Sequence, residues 1–243
     1  MCYSAAVTYY EPDLVEFGFR SKYAFDNEEW RKEYNISGFT HPAMHVIAID
    51  KPDEIVLMKW GFIPNWCKDE LQAHKFADMC LNARAETIFE KPMFKGSIMS
   101  KRCILPLSGF YEWREVNKKK YPYYIYPSHS KLFAMGCIYD TWTNKETGEI
   151  INSFAIVTTE ANEVMAMIHN KKKRMPLILS QDARKLWLDT KASKEDIVSL
   201  FKPSPNEILS YHTISKDISD RRIDSNYPEI QDEVIYPELA TLF

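Results

Sequence analysis

Short apolar runs rich in β-branched and aromatic residues recur along the chain and predict a fold built mainly from β-strands. Turn-forming residues separate these runs. The strands are predicted at residues 45–49, 54–62, 102–107, 109–115, 121–127, 132–140, 153–159, 176–180 and 207–214. Residues 143–149 include Gly148 and predict a hairpin turn between two of them.

Helical spacing is rarer than strand-like patterning and is found at residues 26–34, 85–98, 160–168, 180–188 and 193–201. Ser180 and Ser193 are predicted N-caps because acidic residues follow each of them within the first turn. Helices and strands do not alternate regularly, so a doubly wound parallel sheet is not expected. The pattern favours a single α+β domain built on an antiparallel sheet.

The composition of the 243 residues is that of a globular protein, with 45% hydrophobic and 27% charged residues. Seven glycines make a glycine-rich phosphate loop unexpected, and no apolar run is long enough to predict a membrane span. Because the net charge is −3, binding of nucleic acid would depend on a local basic patch. Five cysteines without a CxxC pair, and a start without a secretory signal, predict a reducing, cytoplasmic location.

Cys2 follows the initiator methionine directly and is the first candidate for chemistry. Removal of Met1 would leave a free α-amine and a thiol on the same residue. The amine of such a 1,2-aminothiol forms a Schiff base with an aldehyde, and the thiol then closes a thiazolidine ring. The alternative is a cysteine that serves only as a small buried hydrophobe.

Two further segments carry polar side chains suited to catalysis or to anion binding. In GFYEW, Glu112 lies among aromatic residues of a predicted strand, where burial would raise its pKa and suit it to proton transfer. In NARAET, Asn82 can donate and accept hydrogen bonds, and Arg84 can bind a phosphate or carboxylate through two bonds. The alternatives are a solvated glutamate on an amphipathic strand and an arginine held in a salt bridge.

A histidine and a basic run follow one of the predicted helices. His169 lies at the helix end, where the helix dipole favours the charged imidazolium. Lys171 and Arg174 belong to the adjoining basic run, which suits the binding of phosphates. An ordinary solvated loop is the alternative.

Two tryptophans bracket a Pro-Asn turn in WGFIPNW. Trp60 is expected in the core, whereas Trp66 is the better candidate for stacking on an unpaired base. His41 and His45 have i, i+4 spacing, but Pro42 between them is unfavourable for a helix, so no metal site is expected. No nucleotide-binding or hydrolase motif occurs, and no cofactor is expected.

Taken in chain order, five features resemble the SRAP family (SOS-response-associated peptidase), namely Cys2, WGFIPNW, NARAET, RCILPLSGFYEW and the stretch VTT…IH…RMPLIL. Members of this family sense abasic sites in single-stranded DNA. The resemblance extends from Cys2 to about Asn226, and it implies a domain at 1–226 with a C-terminal tail at 227–243. It also implies a single-domain α+β fold with an antiparallel, β-barrel-like core and flanking helices.

The function implied by the resemblance is covalent capture of abasic sites in single-stranded DNA as part of DNA-damage repair. Cys2 would be the nucleophile after autocatalytic removal of Met1, and Asn82 would position it. Glu112 would act as acid and base, and His169, as an imidazolium, would protonate the ring oxygen of the sugar. DNA contacts are implied for Arg84, Trp66 and Pro42, and a further phosphate contact is implied for either Lys171 or Arg174. Lyase chemistry on the same sugar is accessible, and a monomer is expected.

The chain departs from the family pattern at several points. The family usually begins Cys-Gly-Arg, whereas this chain has Tyr3 and Ser4, so an arginine expected to bind phosphate is missing. GFTHPAM keeps only Pro42 of the family's YNxAP segment, and NKKK lengthens the run after His169. Two other functions are considered. One is an N-terminal-cysteine peptidase or amidohydrolase that uses Cys2 with Glu112 and His169, and the other is a non-covalent binder of single-stranded DNA in which Cys2 is incidental. Basic residues around the pocket would favour DNA capture, whereas an apolar, closed pocket would favour the peptidase.

Overall fold

The computed structural model describes residues 2–16, 32–220 and 222–240, which form twelve β-strands and six α-helices. The strands are β1 (Ser4–Val7), β2 (Glu33–Ser37), β3 (Ala43–Ala48), β4 (Lys51–Trp60), β5 (Asn82–Arg84), β6 (Arg102–Leu107), β7 (Gly109–Val116), β8 (Lys119–Pro127), β9 (Phe133–Thr143), β10 (Ile150–Glu160), β11 (Arg174–Pro176) and β12 (Leu209–Thr213). The helices are α1 (Glu11–Glu16), α2 (Glu70–Met79), α3 (Glu163–Ile168), α4 (Gln181–Trp187), α5 (Lys194–Ser199) and α6 (Pro237–Ala240).

Five strands close into a barrel in the order β10-β4-β3-β6-β9, with β9 pairing back onto β10. Four of the five pairings are antiparallel, and β10 runs parallel to β4 and also to the short strand β5. Closure removes the exposed edges that an open sheet would present. The expectation of an α+β fold with a barrel-like core is confirmed, with the parallel pairings of β10 as an added feature.

A second sheet has the order β12-β8-β7-β1-β2, and all of its pairings are antiparallel. Its inner face packs on the barrel, as the contact between the rings of Phe110 on β7 and Phe133 on β9 shows, with centroids 6.0 Å apart. Trp60 is fully buried in the core, as expected. The sheet places the start of the chain between β2 and the GFYEW strand, β7.

Most of the predicted strands are confirmed within a few residues of the observed bounds, and the 143–149 hairpin joins β9 to β10 with Gly148 at φ 74°. The strand predicted at 176–180 is wrong beyond Pro176. Leu177 donates to Val157 on β10, whereas Leu179 donates to Ala134 on β9. The segment therefore crosses from β10 to β9, and it pairs with β9 only through a single bridge between Ile178 and Met135.

The helices predicted at 160–168, 180–188 and 193–201 are confirmed as α3, α4 and α5. Ser180 is the N-cap of α4 and Ser193 that of α5, as predicted, and Ser193 forms a full capping box with Asp196. The helix predicted at 85–98 is wrong, because only a single 3-10 turn, Ala85–Thr87, forms before a series of turns around Pro92. The helix predicted at 26–34 falls mostly outside the described residues, and Glu33–Tyr34 belong to β2.

The chain after Ile214 packs on the second sheet through short helical turns. Ile230 and Leu239 are buried, and the amide of Val234 donates to the carbonyl of Thr213 at 2.8 Å. Within the described parts of the chain, we find no helix with the length and apolar character needed to cross a membrane.

Candidate functional site

Cys2 lies two residues before β1, whose pairing with β2 and β7 holds this part of the chain in place. The side chain is fully buried, and its thiol donates to the carbonyl of Ser4 at 3.7 Å. Burial raises the pKa of the thiol well above its ordinary value of 9.0, and the charge of Glu112 raises it further. The thiol is therefore protonated at neutral pH.

Asn82 at the start of β5 reaches the same place, as predicted. Its Nδ2 atom donates to the carbonyl of Cys2 at 3.0 Å. Its Oδ1 atom is buried and has no hydrogen-bond partner within the described part of the chain. The amide therefore fixes the backbone of Cys2 and leaves one acceptor oxygen available beside it.

Glu112 on β7 faces the barrel side of the second sheet and is 3% exposed. Burial raises its pKa to about 7, and the ammonium of Lys172 opposes part of this shift. The prediction that aromatic surroundings would raise the pKa of this carboxyl is confirmed. At neutral pH Glu112 can therefore both give and take a proton.

His169 is the C-cap residue of α3, and its ring lies beside Glu112. The Nδ1 atom lies 3.0 Å from the carbonyl oxygen of Arg174, so this nitrogen carries the hydrogen. In the neutral ring the Nε2 atom then carries no hydrogen, and it lies 3.8 Å from Oε2 of Glu112. The neutral ring therefore directs its acceptor nitrogen at the carboxyl.

The expectation of a charged imidazolium at His169 is wrong for the free protein. Its pKa is lowered to about 4, chiefly by burial. Lys172 and Arg174 contribute in the same direction, and the hydrogen bond to the carbonyl of Arg174 acts in the opposite one. The six-residue helix α3 carries a dipole too weak to offset this burial. The proton of the Glu112–His169 pair therefore resides on the carboxyl.

The cleft above these residues has a volume of about 710 Å³ and is open to solvent. Its walls carry three exposed lysines and several polar side chains, together with three aromatic side chains, those of Tyr3, Phe39 and Trp113. These lining residues include Lys120, Lys171, Lys172, Asn35, Ser219, Phe39 and Trp113. The lysines favour a ligand with phosphates, although Glu115 and Asp220 also line the cleft and Lys171 pairs with Glu115.

The two arginines predicted to bind DNA lie in different environments. Arg84 is exposed on β5, close enough to Tyr3 for its charge to lower the pKa of that phenol, which burial raises. Arg174 is 8% exposed, and its guanidinium binds both carboxylate oxygens of Glu86, at 2.5 and 2.9 Å, and the carbonyl of Thr158. Arg174 is therefore committed to internal contacts, and the structure does not support it as a phosphate ligand.

Lys171 fits the prediction better, since its exposed ammonium lines the cleft and pairs with Glu115 at 3.2 Å. Trp66 is 47% exposed but packs edge-on against Phe76 and lines a separate recess. Pro42 follows the 3-10 turn Gly38–Thr40 and lies outside the cleft lining, where its carbonyl accepts from Trp60. The structure therefore does not bring Trp66 or Pro42 into the cleft.

Sequence reasoning missed Tyr3 and Phe39, which line the cleft beside Glu112. The available signal was an aromatic residue next to Cys2 and a second aromatic residue in the Gly38–Thr40 turn. Among the described residues, no three His, Cys, Asp or Glu side chains gather around a position for a metal ion.

Comparisons with known proteins place these features in context. The family model described as SOS response associated peptidase (SRAP) matches residues 1–221. Abasic site processing protein YoaM of Bacillus subtilis is 37% identical over 196 residues, which are 79% of this chain and 81% of that protein. Abasic site processing protein HMCES of Xenopus tropicalis is 32% identical over 201 residues, covering 74% of this chain and 58% of that protein. A crystal structure of a protein from Bacteroides thetaiotaomicron, 36% identical, has a TM-score of 0.88 and covers 96% of this chain and 100% of its own.

Proposed function

The chain belongs to the SRAP family, and from this premise we propose that it recognises abasic sites in single-stranded DNA and captures them covalently through Cys2. The observation that supports the proposal is that buried Cys2 lies close enough to Glu112 for that carboxyl to raise the pKa of its thiol, while Glu112 and His169 line a cleft shared by three lysines. Removal of Met1 would give Cys2 a free α-amine, and two relatives of this chain are named abasic site processing proteins.

The first chemical requirement is to open the sugar of the abasic site, which is mostly a closed hemiacetal. Opening removes the proton of the anomeric hydroxyl and adds a proton to the ring oxygen, so no net proton is consumed. The protonated Glu112 carboxyl supplies the proton to the ring oxygen, and Nε2 of His169, the acceptor nitrogen of the neutral ring, takes the proton from the hydroxyl. Return of that proton from the imidazolium to the carboxylate restores both groups.

The second requirement is to join the aldehyde to Cys2. The amine adds to the aldehyde carbon, and protonation of the resulting hydroxyl by Glu112 allows water to leave as the C=N bond forms. The thiol sulfur then bonds to the same carbon, and its proton ends on the nitrogen, which gives a thiazolidine. One water is lost overall. Because the thiol of Cys2 is protonated at rest, the amine acts first and the sulfur second.

The third requirement is to hold the flanking DNA. Lys120, Lys171 and Lys172 line the cleft and can contact phosphates, and exposed Arg84 extends the basic surface. Such contacts position the backbone without reading sequence. A Schiff base at the sugar also acidifies the neighbouring C–H bond, so a slow elimination of the 3′ phosphate belongs to the proposed chemistry.

The test is to mix the purified protein with a single-stranded oligonucleotide that carries one abasic site. We expect an adduct that survives a denaturing gel and has the summed mass of Met1-free protein and DNA less one water. Cys2→Ala should abolish the adduct. Cys80→Ala is the matched control, because Cys80 is also buried but belongs to another part of the core. An unchanged adduct in Cys2→Ala, or no adduct from protein that lacks Met1, would overturn the proposal.

A further inference from the structure

An aromatic pair forms the rim of the cleft next to Cys2. The rings of Tyr3 and Phe39 lie 5.0 Å apart between centroids and are tilted by 31°. Both residues line the cleft together with Glu112 and His169. Phe39 is 59% exposed, which leaves a large part of its ring facing solvent beside the reactive residues.

The turn that carries Phe39 is held firmly by its neighbours. The amide of Gly38 donates to the carbonyl of Tyr3 at 2.8 Å, which links the two ring-bearing residues through the backbone. Gly38 lies flat against the ring of Trp60, where a Cβ atom would come within 3.1 Å of the indole. Close packing of this kind fixes the position of the turn and so of the exposed ring.

His41 closes the same turn in a left-handed conformation at φ 49°. Its Nδ1 atom bonds to the carbonyl of Trp60 and its Nε2 atom to Oδ1 of Asp78, each at 2.9 Å. A non-glycine residue in this conformation is uncommon and persists where surrounding contacts hold it. An exposed phenylalanine on such a rigid support is suited to a ligand with a flat apolar face.

We propose that Phe39, supported by Tyr3, is a nucleobase-stacking site for the base next to the abasic sugar. The inference rests on the proposed function, because the sugar would have to lie at Glu112 and His169 for its neighbour to reach the rim. A base beside a gap has lost one stacking partner, so an aromatic ring can cover its open face. The cleft lysines favour the phosphates that accompany such a base. Stacking is sequence-tolerant, and purines offer the larger face.

The experiment uses a tetrahydrofuran lesion, which cannot react with Cys2. One fluorescent single-stranded oligonucleotide has adenines on both sides of the lesion, and a second has baseless spacers at those positions. We expect the wild-type protein to bind the adenine-flanked strand more tightly in fluorescence anisotropy. Phe39→Ala should lose about tenfold in affinity for the adenine-flanked strand and should not change affinity for the spacer-flanked strand. Phe39→Tyr should retain wild-type behaviour.

Leu71→Ala is the matched control, since Leu71 is 83% exposed on α2 and does not line the cleft. Equal loss on both strands in Phe39→Ala would show a role other than stacking and would overturn the inference. So would equal wild-type affinity for both strands, or no binding to either. Failure of covalent capture is distinguishable, because it would appear only with the natural aldehyde lesion.

Discussion

At the scale of single residues, Glu112 and His169 lie side by side with pKa values displaced in opposite directions, to about 7 and about 4. Burial is the first cause of both displacements, because it disfavours the charged form of either group. The carboxyl is therefore the member of the pair that titrates near neutral pH. A variant of either residue changes which protons the folded protein binds.

We predict opposite pH dependences of stability for variants of this pair. The folded carboxyl, with a pKa of about 7 against an ordinary 4.5, holds a proton that the unfolded chain releases, so its contribution to stability is lost as the pH rises through this window. His169 has a folded pKa of about 4 against an ordinary 6.5, so its contribution is present above pH 6.5 and lost as the pH falls.

Urea unfolding at a series of pH values measures both effects as differences from the wild type. The unfolding free energy of Glu112→Gln relative to the wild type should rise by about 3 kcal/mol across the titration of the carboxyl. That of His169→Asn should instead decrease as the pH rises from about 4 to 6.5. A difference that does not vary with pH for Glu112→Gln would show that the carboxyl is not buried in its neutral form.

At the scale of elements, the loop from His169 to Arg174 is an internally bonded support. The amide of Lys173 donates to the carbonyl of His169, and Lys173 takes a left-handed conformation at φ 48°. Arg174 then ties the end of the loop to Glu86 and Thr158. Since the carbonyl of Arg174 also orients the ring of His169, the loop determines the direction of the acceptor nitrogen.

Variants of Arg174 and Arg84 should separate a role in the stability of the fold from a role in DNA binding. Arg174→Met should lower the unfolding free energy by about 2 kcal/mol, because it removes charge-assisted hydrogen bonds from a buried site. Arg84→Met, a change at an exposed position, should alter stability by less than about 0.5 kcal/mol while weakening the binding of abasic DNA. Thermal or urea unfolding and anisotropy on the same samples measure the two quantities. If Arg174→Met kept full stability and lost binding, Arg174 would be a phosphate ligand after all.

The elements that sequence could predict are those whose own residues carry the signal. The apolar runs of the barrel strands show it, and so do the serine caps of α4 and α5. Helix α2 was missed because its buried residues are Ala73 and Ala77, which make no apolar stripe. Strand β1 is four residues long and depends on pairing with β2 and β7, which no local pattern reports.

Sequence could suggest the members of the candidate site whose chemistry depends on their own side chain, namely Cys2, Asn82 and Glu112. The resemblance to a known family then grouped these residues into one site. The protonation state of His169 could not be predicted from sequence, because it depends on burial and on a carbonyl that the fold brings to Nδ1. The role of Arg174 was missed for the same reason. Its partner Glu86 lies far away in sequence, so the basic run around Arg174 suggested an arginine available to bind phosphate.

At the scale of the whole molecule, three exposed lysines of an acidic chain meet at one cleft, whose lining also holds Glu115 and Asp220. The net charge is −3, yet Lys120, Lys171 and Lys172 line the same opening. Because salt screens distant charges more than near ones, the charges that line the cleft dominate the electrostatic potential that a ligand meets there. Binding should therefore depend on which lysines are present and only weakly on the total charge.

The prediction at this scale is a difference in salt dependence between two double variants of equal charge. Lys171→Gln with Lys172→Gln should reduce the slope of log affinity against log salt for single-stranded DNA by about 0.7 per lost phosphate contact. Lys51→Gln with Lys185→Gln removes the same charge outside the cleft lining and should leave the slope unchanged. Anisotropy titrations across a range of salt concentrations measure both slopes. Equal changes in the two double variants would mean that net charge, and not the cleft, controls binding.

Strand β1 also has a mechanical consequence. It begins two residues after Cys2 and is hydrogen-bonded to β2 on one side and β7 on the other, antiparallel to both. A DNA strand joined to Cys2 and pulled by a translocating motor would load β1 from its end. The pulling force would then act along the strand, so the hydrogen bonds on both sides would share the load. They would have to break together and could not be broken one after another. The fold would thus anchor a cross-linked strand against tension.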